Sequence, residues 1–381
     1  MDETQAILPF CYIFLNNLDA APGISTETIN FANIDAMRKN PTSYSFNINI
    51  NDDKLLLTEL QRFGGSTLFC LSALKPSMFY ARLDALASSL NITIKLGYHF
   101  MYSYYTLTEM RKVSSIYNTD FLANKLYREF FENKDIEYAF IGPLRFSDIY
   151  CKDSKEEDHL LLNVYTSFAV KNNIPVIIDM AEVEEPEAEL SFLFDNIKAV
   201  SVTKAKQYLF FFNYPVRRSE AVNYTSRSVI TEVEMGNYEE IVGLLKKQYN
   251  IGLAMETFLD ISNLSNFIQS LEESHLEYLY VSPTYRYKTQ FSQYGGPYTA
   301  IYNQALQQAD SSQPFEKVFV KNPKRLIKEK KKEVVVVKTV DGFTCPVCNK
   351  YVTGTGSKIS KHNLQFCTIE CFRVYLRQPK D

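Results

Sequence analysis

Residues 155–179 read KEEDHLLLNVYTSFAVKNNIPVIID. Leu160, Leu161, Val164, Tyr165 and Phe168 recur at helical spacing, which predicts an amphipathic helix over Lys155–Asn173. After it, Val176–Met180 is an apolar run of strand length, so the stretch is one helix leading into one strand. The same alternation runs through the body of the chain. Strands are expected at Ile7–Leu15, Tyr44–Ile50, Thr93–Tyr98, Tyr138–Pro143, Val176–Met180, Val229–Val233, Gly252–Glu256 and Tyr278–Ser282. Helical patterns lie between them. Strand and helix alternating about eight times argues for parallel βα units closed into a TIM-type (β/α)8 barrel. The stretch 183–228 is longer than one crossover needs and is read as an insertion containing a strand at Tyr208–Phe212. The expected fold class is α/β, with the barrel over residues 1–312.

Composition sets the outer bounds. The chain has 381 residues, 46% of them hydrophobic, enough to bury one large domain and a small one. It has 26 Tyr and 27 Phe but no Trp, a bias that speaks of the genome more than of a function. No signal-peptide pattern opens the chain and no apolar stretch reaches the length of a membrane span. The expectation is therefore an intracellular protein with no membrane partner, and with Cys11, Cys70 and Cys151 reduced.

The net charge of −3 hides a division. Residues 315–381 carry 15 Lys and Arg against 6 Asp and Glu, which leaves 26 against 38 in residues 1–314. An acidic body carries a basic tail. Much of that charge sits in a basic linker, residues 313–340, at Lys324, Arg325, Lys328, Lys330, Lys331 and Lys332. These are the candidate contacts to nucleic-acid phosphates, with a solvated hinge as the plain alternative. The acidic body is expected to add little to such binding. A basic linker also fits nuclear import, which favours the nucleus over the cytoplasm.

Beyond the linker, residues 341–381 contain Cys345-Pro-Val-Cys348 and Cys367-Thr-Ile-Glu-Cys371, separated by residues 349–366. Two close pairs at that separation can set four thiolates around one structural zinc ion. A module this small needs such a metal to stay folded. His362 is the other side chain that could take a ligand place. Apolar spacing at Ile369, Phe372, Val374 and Tyr375 predicts a helix starting at the second pair. Phe366-Cys367-Thr-Ile-Glu-Cys371 is similar to the FCS and TRASH class of fingers, and the arrangement resembles a treble clef.

The body also resembles a family. Lys155–Asp179 looks like the helix and strand that lead to a ligand histidine in TatD-type metal-dependent deoxyribonucleases. Gly97-Tyr-His99-Phe100 is similar to that family's GxHP, and Ile141-Gly142 to its IGE strand. Val229–Met255 and Leu276–Leu306, with Ser282-Pro283 and Gly296-Pro297-Tyr298, resemble its later strands and closing segment. The resemblance implies two metals held by an HxH pair, a glutamate, two further histidines and an aspartate, activating water against a phosphodiester. Carried over position by position, those ligands fall on Leu15 and Asn17, Pro143, Asp179, Thr231 and Val281. Leucine, proline and valine offer no donor, so the resemblance implies a fold without its dinuclear site; only a weak Mg2+ or Ca2+ site built from oxygen donors stays open.

No other catalytic constellation replaces it. His99, His159, His275 and His362 stand in different contexts, and no Gly-rich phosphate loop or GxSxG elbow occurs. Two functions remain. One is a catalytically inactive TatD-like barrel serving as a binding scaffold, its finger and linker contacting nucleic acid or a protein complex. The other is a TatD-related phosphodiesterase with a site rebuilt around Asn17, His99, Asp148 and Asp179.

Overall fold

Eight strands follow one another in space in the order in which the chain makes them. They are β1 (Ala6–Cys11), β2 (Gly65–Cys70), β3 (Thr93–Tyr98), β4 (Tyr138–Arg145), β5 (Val176–Asp179), β6 (Leu209–Phe212), β7 (Asn250–Ala254) and β8 (Leu279–Ser282). Each is hydrogen-bonded in parallel to the next, and β8 lies against β1. The result is a curled parallel sheet with helices, of the TIM-barrel type. The structure, a computed structural model, describes residues 6–11, 28–39, 58–71, 83–98, 119–146, 159–215 and 238–327 with short interruptions, and four short strands between 342 and 366.

The helices among these residues are α1 (Ile34–Lys39), α2 (Thr119–Tyr127), α3 (Leu160–Asn172), α4 (Pro186–Asp195), α5 (Val202–Lys206) and α6 (Tyr238–Lys246). They continue with α7 (Ile261–Ser270), α8 (Glu273–Leu276), α9 (Tyr298–Ala309) and α10 (Gln313–Glu316). The decisive stretch behaves as its pattern requires: α3 buries Leu161, Val164, Tyr165 and Phe168. It ends on Asn173 in the left-handed conformation (φ 55°), and the chain enters β5 three residues later. Asn tolerates that conformation and stops the helix there.

Two strands stand elsewhere than the sequence pattern puts them. The second barrel strand is Gly65–Cys70; the expected strand at Tyr44–Ile50 lies outside the described residues. Thr67–Leu71 is a short apolar run just behind Gly64-Gly65, and the glycines disguise it as a loop. The sixth strand is Leu209–Phe212, which the sequence pattern assigns to an insertion. It pairs with β5 through Ile178↔Phe211 and with β7 through Phe211↔Ile251. The expected strand at Val229–Val233 lies outside the described residues, and in the sheet β6 and β7 are direct neighbours.

Strand alternation sorts the apolar residues into two layers. Phe211, Ile178, Val176, Leu253, Leu279 and Val281 face the helices and join the main core. Phe69, Phe140, Ile177, Phe210, Phe212 and Tyr280 form a second cluster inside the barrel. The inner cluster is largely aromatic. Phe69 and Phe140 lie 5.6 Å apart between ring centroids, and Tyr280 meets Phe210 edge-on at 5.6 Å and Phe212 at 5.7 Å. Phe140 needs the space at Gly97, because any side chain there would collide with its ring.

The chain does not leave the barrel at residue 312. Phe315, Val318 and Phe319 are buried, and the stretch Lys317–Lys324 lies across both β8 and β1, where the sheet meets itself. Asn322, itself buried, donates from Nδ2 to the carbonyls of Leu276 (2.6 Å) and Leu279 (2.7 Å) at the N-terminal end of β8. Leu326 then enters the inner aromatic cluster. The packed body thus runs to Ile327, and the first part of the expected linker is a plug under the barrel. Farther on, β9 (Gly342–Thr344) pairs antiparallel with β10 (Tyr351–Thr353), and β11 (Ile359–Lys361) with β12 (Leu364–Phe366); β12 lies against β9.

If Leu326 seals the inner cluster, Leu326→Ala should lower the free energy of unfolding by about 2–5 kcal/mol, as other large-to-small changes in full cores do. Urea denaturation followed by tyrosine fluorescence checks this; an unchanged midpoint would mean that the plug does not support the barrel.

Candidate functional site

In barrels of this type the chemistry sits at the C-terminal ends of the strands. Here that mouth gathers Arg145, Asp179, Asn213, Glu256, Ser282 and Thr284. Asp179, the last residue of β5, accepts hydrogen bonds from the backbone N–H of Ala181 (3.0 Å) and from Nδ2 of Asn213 (3.1 Å). Asn213 follows β6 with φ 55°, a left-handed conformation that Asn adopts more readily than most residues. Glu256 accepts at Oε1 from both the N–H (3.0 Å) and the hydroxyl (2.8 Å) of Thr284. Tyr214 donates to Glu240 at the start of α6. Each of these carboxylates tethers a loop or helix start to the strand ends.

Of the positions that the TatD resemblance assigns to metal ligands, Pro143, Asp179 and Val281 are described. Leu15, Asn17 and Thr231 lie outside the described residues, as do the candidates His99 and Asp148. Val281 faces the helices. Its neighbours Tyr280 and Ser282 take the inner face of β8, so the side chain that stands where an aspartate is expected is Ser282. Pro143 follows Gly142, whose φ of 115° favours glycine. Among the described residues no three His, Cys, Asp or Glu side chains come together as a metal shell. The described positions offer one carboxylate, already engaged by two donors. They do not fit a pair of metal ions.

The two described histidines are far from this task. His159 precedes α3, buried beside the ring of Phe192 at 6.4 Å. His275 is buried in α8 with Nε2 3.7 Å from Glu272. Neither sits at a strand end: His159 caps the start of α3 and His275 lies within α8. What fills the barrel below the mouth is aromatic, and burial pushes the Tyr280 hydroxyl there well above the usual phenol range; Tyr138 of β4, in the main core outside the lumen, is pushed up to about 12 by burial and by nearby Glu129. These phenols stay neutral in any physiological setting and act as packing groups.

At the opposite end, the nucleic-acid candidates Lys324 and Arg325 belong to the plug. Lys324 is exposed. Arg325 donates from Nη1 to the carbonyl of Glu277 and from Nη2 to Oδ1 of Asn250 (3.3 Å), with its guanidinium 5.6 Å from the Tyr278 ring. Lys328, Lys330, Lys331, Lys332 and the four cysteines of the tail lie outside the described residues. In the sequence β9 directly precedes Cys345, and β12 directly precedes Cys367.

Sequence reasoning missed the inner aromatic cluster and the tethering roles of Asn213 and Glu256. The signal for the cluster was the run Leu209-Phe-Phe-Phe212, which is buried on both faces as a central parallel strand must be.

Comparison with solved structures gives the class. The chain is similar to a resiniferatoxin-binding protein from Rhodobacter sphaeroides, with 13% identity over 85% of this chain and 91% of that one and a TM-score of 0.56. It is similar also to the phosphotriesterase homology protein of Escherichia coli, with 11% identity over 86% and 100% and a TM-score of 0.53. A lactonase from Listeria monocytogenes matches at 10% identity over 87% and 96%, with a TM-score of 0.52. No family model and no curated protein matches the sequence. The barrel therefore shares the fold of these proteins; at such identity the likeness shows the fold alone.

If Asp179 holds loops, Asp179→Ala should cost roughly 1–3 kcal/mol of stability by leaving the Ala181 N–H and the Asn213 amide without their acceptor. Urea unfolding measures it. A variant as stable as the parent would release Asp179 from this role.

Proposed function

We propose that this chain is a catalytically silent, TatD-like member of the hydrolase-fold barrels that serves as a binding scaffold. In this reading a zinc finger and a basic linker make its contacts to nucleic acid. The observation that carries it is the inside of the barrel. Phe69, Phe140, Phe210, Phe212 and Tyr280 fill the lumen, and the described positions that the resemblance assigns to ligands carry Pro143, a loop-tethering Asp179 and an outward-facing Val281, with Ser282 on the inner face beside it. A hydrolase of this class needs several converging donors to hold its metals and to activate water. The donors among the described residues do not supply them.

The tail supports the second half of the reading. Cys345 and Cys348 fall between the paired strands β9 and β10, and Cys367 follows β12, the strand that lies against β9. A first cysteine pair within one hairpin and a second pair directly after another is the order that a treble clef requires. One zinc held by Cys345, Cys348, Cys367 and Cys371 would supply the stability that so small a module lacks. The linker's lysines give the contacts to phosphate, which act through charge and release of counterions and read no sequence. Among the described residues no helix is long and apolar enough to cross a membrane. The basic linker favours the nucleus.

The purified full chain, supplied with Mg2+, Mn2+ or Zn2+, should not hydrolyse single- or double-stranded DNA, a phosphotriester or a lactone above the metal-only background. Turnover that Asp179→Ala abolishes would overturn the reading in favour of a rebuilt catalytic site around that residue.

Cys348→Ser tests the finger. It should remove zinc and unfold the tail while the barrel's unfolding midpoint stays where it was. Full zinc content in that variant would contradict the four-cysteine assignment.

A further inference from the structure

The sheet is hydrogen-bonded from β1 round to β8, but among the described residues no ladder joins β8 back to β1, and these two strands meet by contact. At every other junction the backbone does the joining. A barrel escapes the hazard of open strand edges only by closing, so this last junction has to be secured by other means. Two sets of side chains cross it.

The first is built on Glu59, a carboxylate that is only 2% exposed and stands in the chain between β1 and β2. Its Oε2 accepts from the N–H of Ser292 (3.0 Å), and its Oε1 from the hydroxyls of Ser292 (2.8 Å) and Thr299. Asn303 adds a bond from Nδ2 to the carbonyl of Arg62 (2.6 Å). The segment before β2 is thus tied to the segment after β8 and to α9. The second set belongs to the plug, whose stretch Lys317–Lys324 lies against both β8 and β1. It is anchored on α9, where the Phe319 ring meets Tyr302 edge-on at 5.5 Å and stacks on Phe315 at 5.8 Å. Asn322 and Arg325 then bond to carbonyls at the root of β8, and Arg325 also to Asn250 of β7. These bonds fasten the plug to the β8 side, and β1 lies against it.

We infer that the junction of β8 and β1 is the seam at which this barrel opens, and that Glu59 and the plug are the two clasps that hold it shut. Opening at any other junction breaks a ladder of backbone hydrogen bonds. Here it needs only the side-chain bonds and the packing of the plug to let go, and proteins open locally where the least stands in the way. What such an opening bares is the edges of two strands and the aromatic lumen behind them. The seam belongs to the barrel alone and holds whatever the tail binds.

Hydrogen exchange of the full chain, read by mass spectrometry under conditions where the parent stays folded, tests this. Glu59→Gln sets an amide in place of the carboxylate that collects three donors, and Asn322→Ala leaves the carbonyls of Leu276 and Leu279 without theirs. Each variant should speed exchange in β1 and β8 roughly tenfold while β4, β5 and β6 keep the parent's rates. Asn163→Ala is the control. Asn163 likewise donates to two carbonyls, those of His159 and Asn196, but from α3, so its loss should leave β1 and β8 at the parent's rates. If the first pair does not fold, Thr299→Val and Asn322→Ser loosen the same two clasps more gently. Exchange that rises evenly over the eight strands in either clasp variant, or that stays at the parent's rate in β1 and β8, would overturn the inference.

Discussion

Everything in this barrel depends on what fills it. Five aromatic rings from β2, β4, β6 and β8 occupy the lumen, and Gly97 is the vacancy that lets Phe140 in. A (β/α)8 barrel with a filled interior is ordinary, since its inward residues always pack in layers. Here apolar side chains reach to Phe212, the last residue of β6, and to Leu71, just past β2. That leaves the described strand ends to Asp179 and Glu256, which hold loops in place, and to Ser282. The same packing that stabilises the fold makes the described lumen apolar.

The plug is the counterpart of that filling. Leu326 closes the lumen from below, Asn322 satisfies two carbonyls at the root of β8, and Arg325 ties the plug to Asn250 of β7. Buried carbonyls without partners would be costly, so Asn322 stabilises the root of β8. The plug also fixes the place from which the tail departs.

Much of the fold is legible in the chain, and the failures have physical causes. Lys155–Asp179 shows its helix and strand plainly because α3 is amphipathic and β5 is a buried parallel strand. Thr93–Tyr98 stands where its apolar run predicts a strand. β2 is hidden because a short apolar run after two glycines looks like a loop until its neighbours are known. β6 is visible as a strand but reads as part of an insertion, since only the pairing with Ile178 and Ile251 shows it to be central. The plug is hidden by its charge: Lys317, Lys321, Lys324 and Arg325 read as a linker, while Phe315, Phe319 and Leu326 between them do the packing. At the mouth, position counting puts Val281 where an aspartate is expected, and strand alternation gives that place to Ser282.

The central claim is that the barrel holds no catalytic metal pair, and it is tested most directly with the finger silenced. The full chain carrying Cys345→Ser, Cys348→Ser, Cys367→Ser and Cys371→Ser would be titrated with Zn2+ and with Mn2+ by calorimetry, its barrel shown to be folded by its unfolding transition. The account predicts no saturable binding of either ion. Two equivalents bound to the folded barrel, and lost on Asp179→Ala, would contradict it.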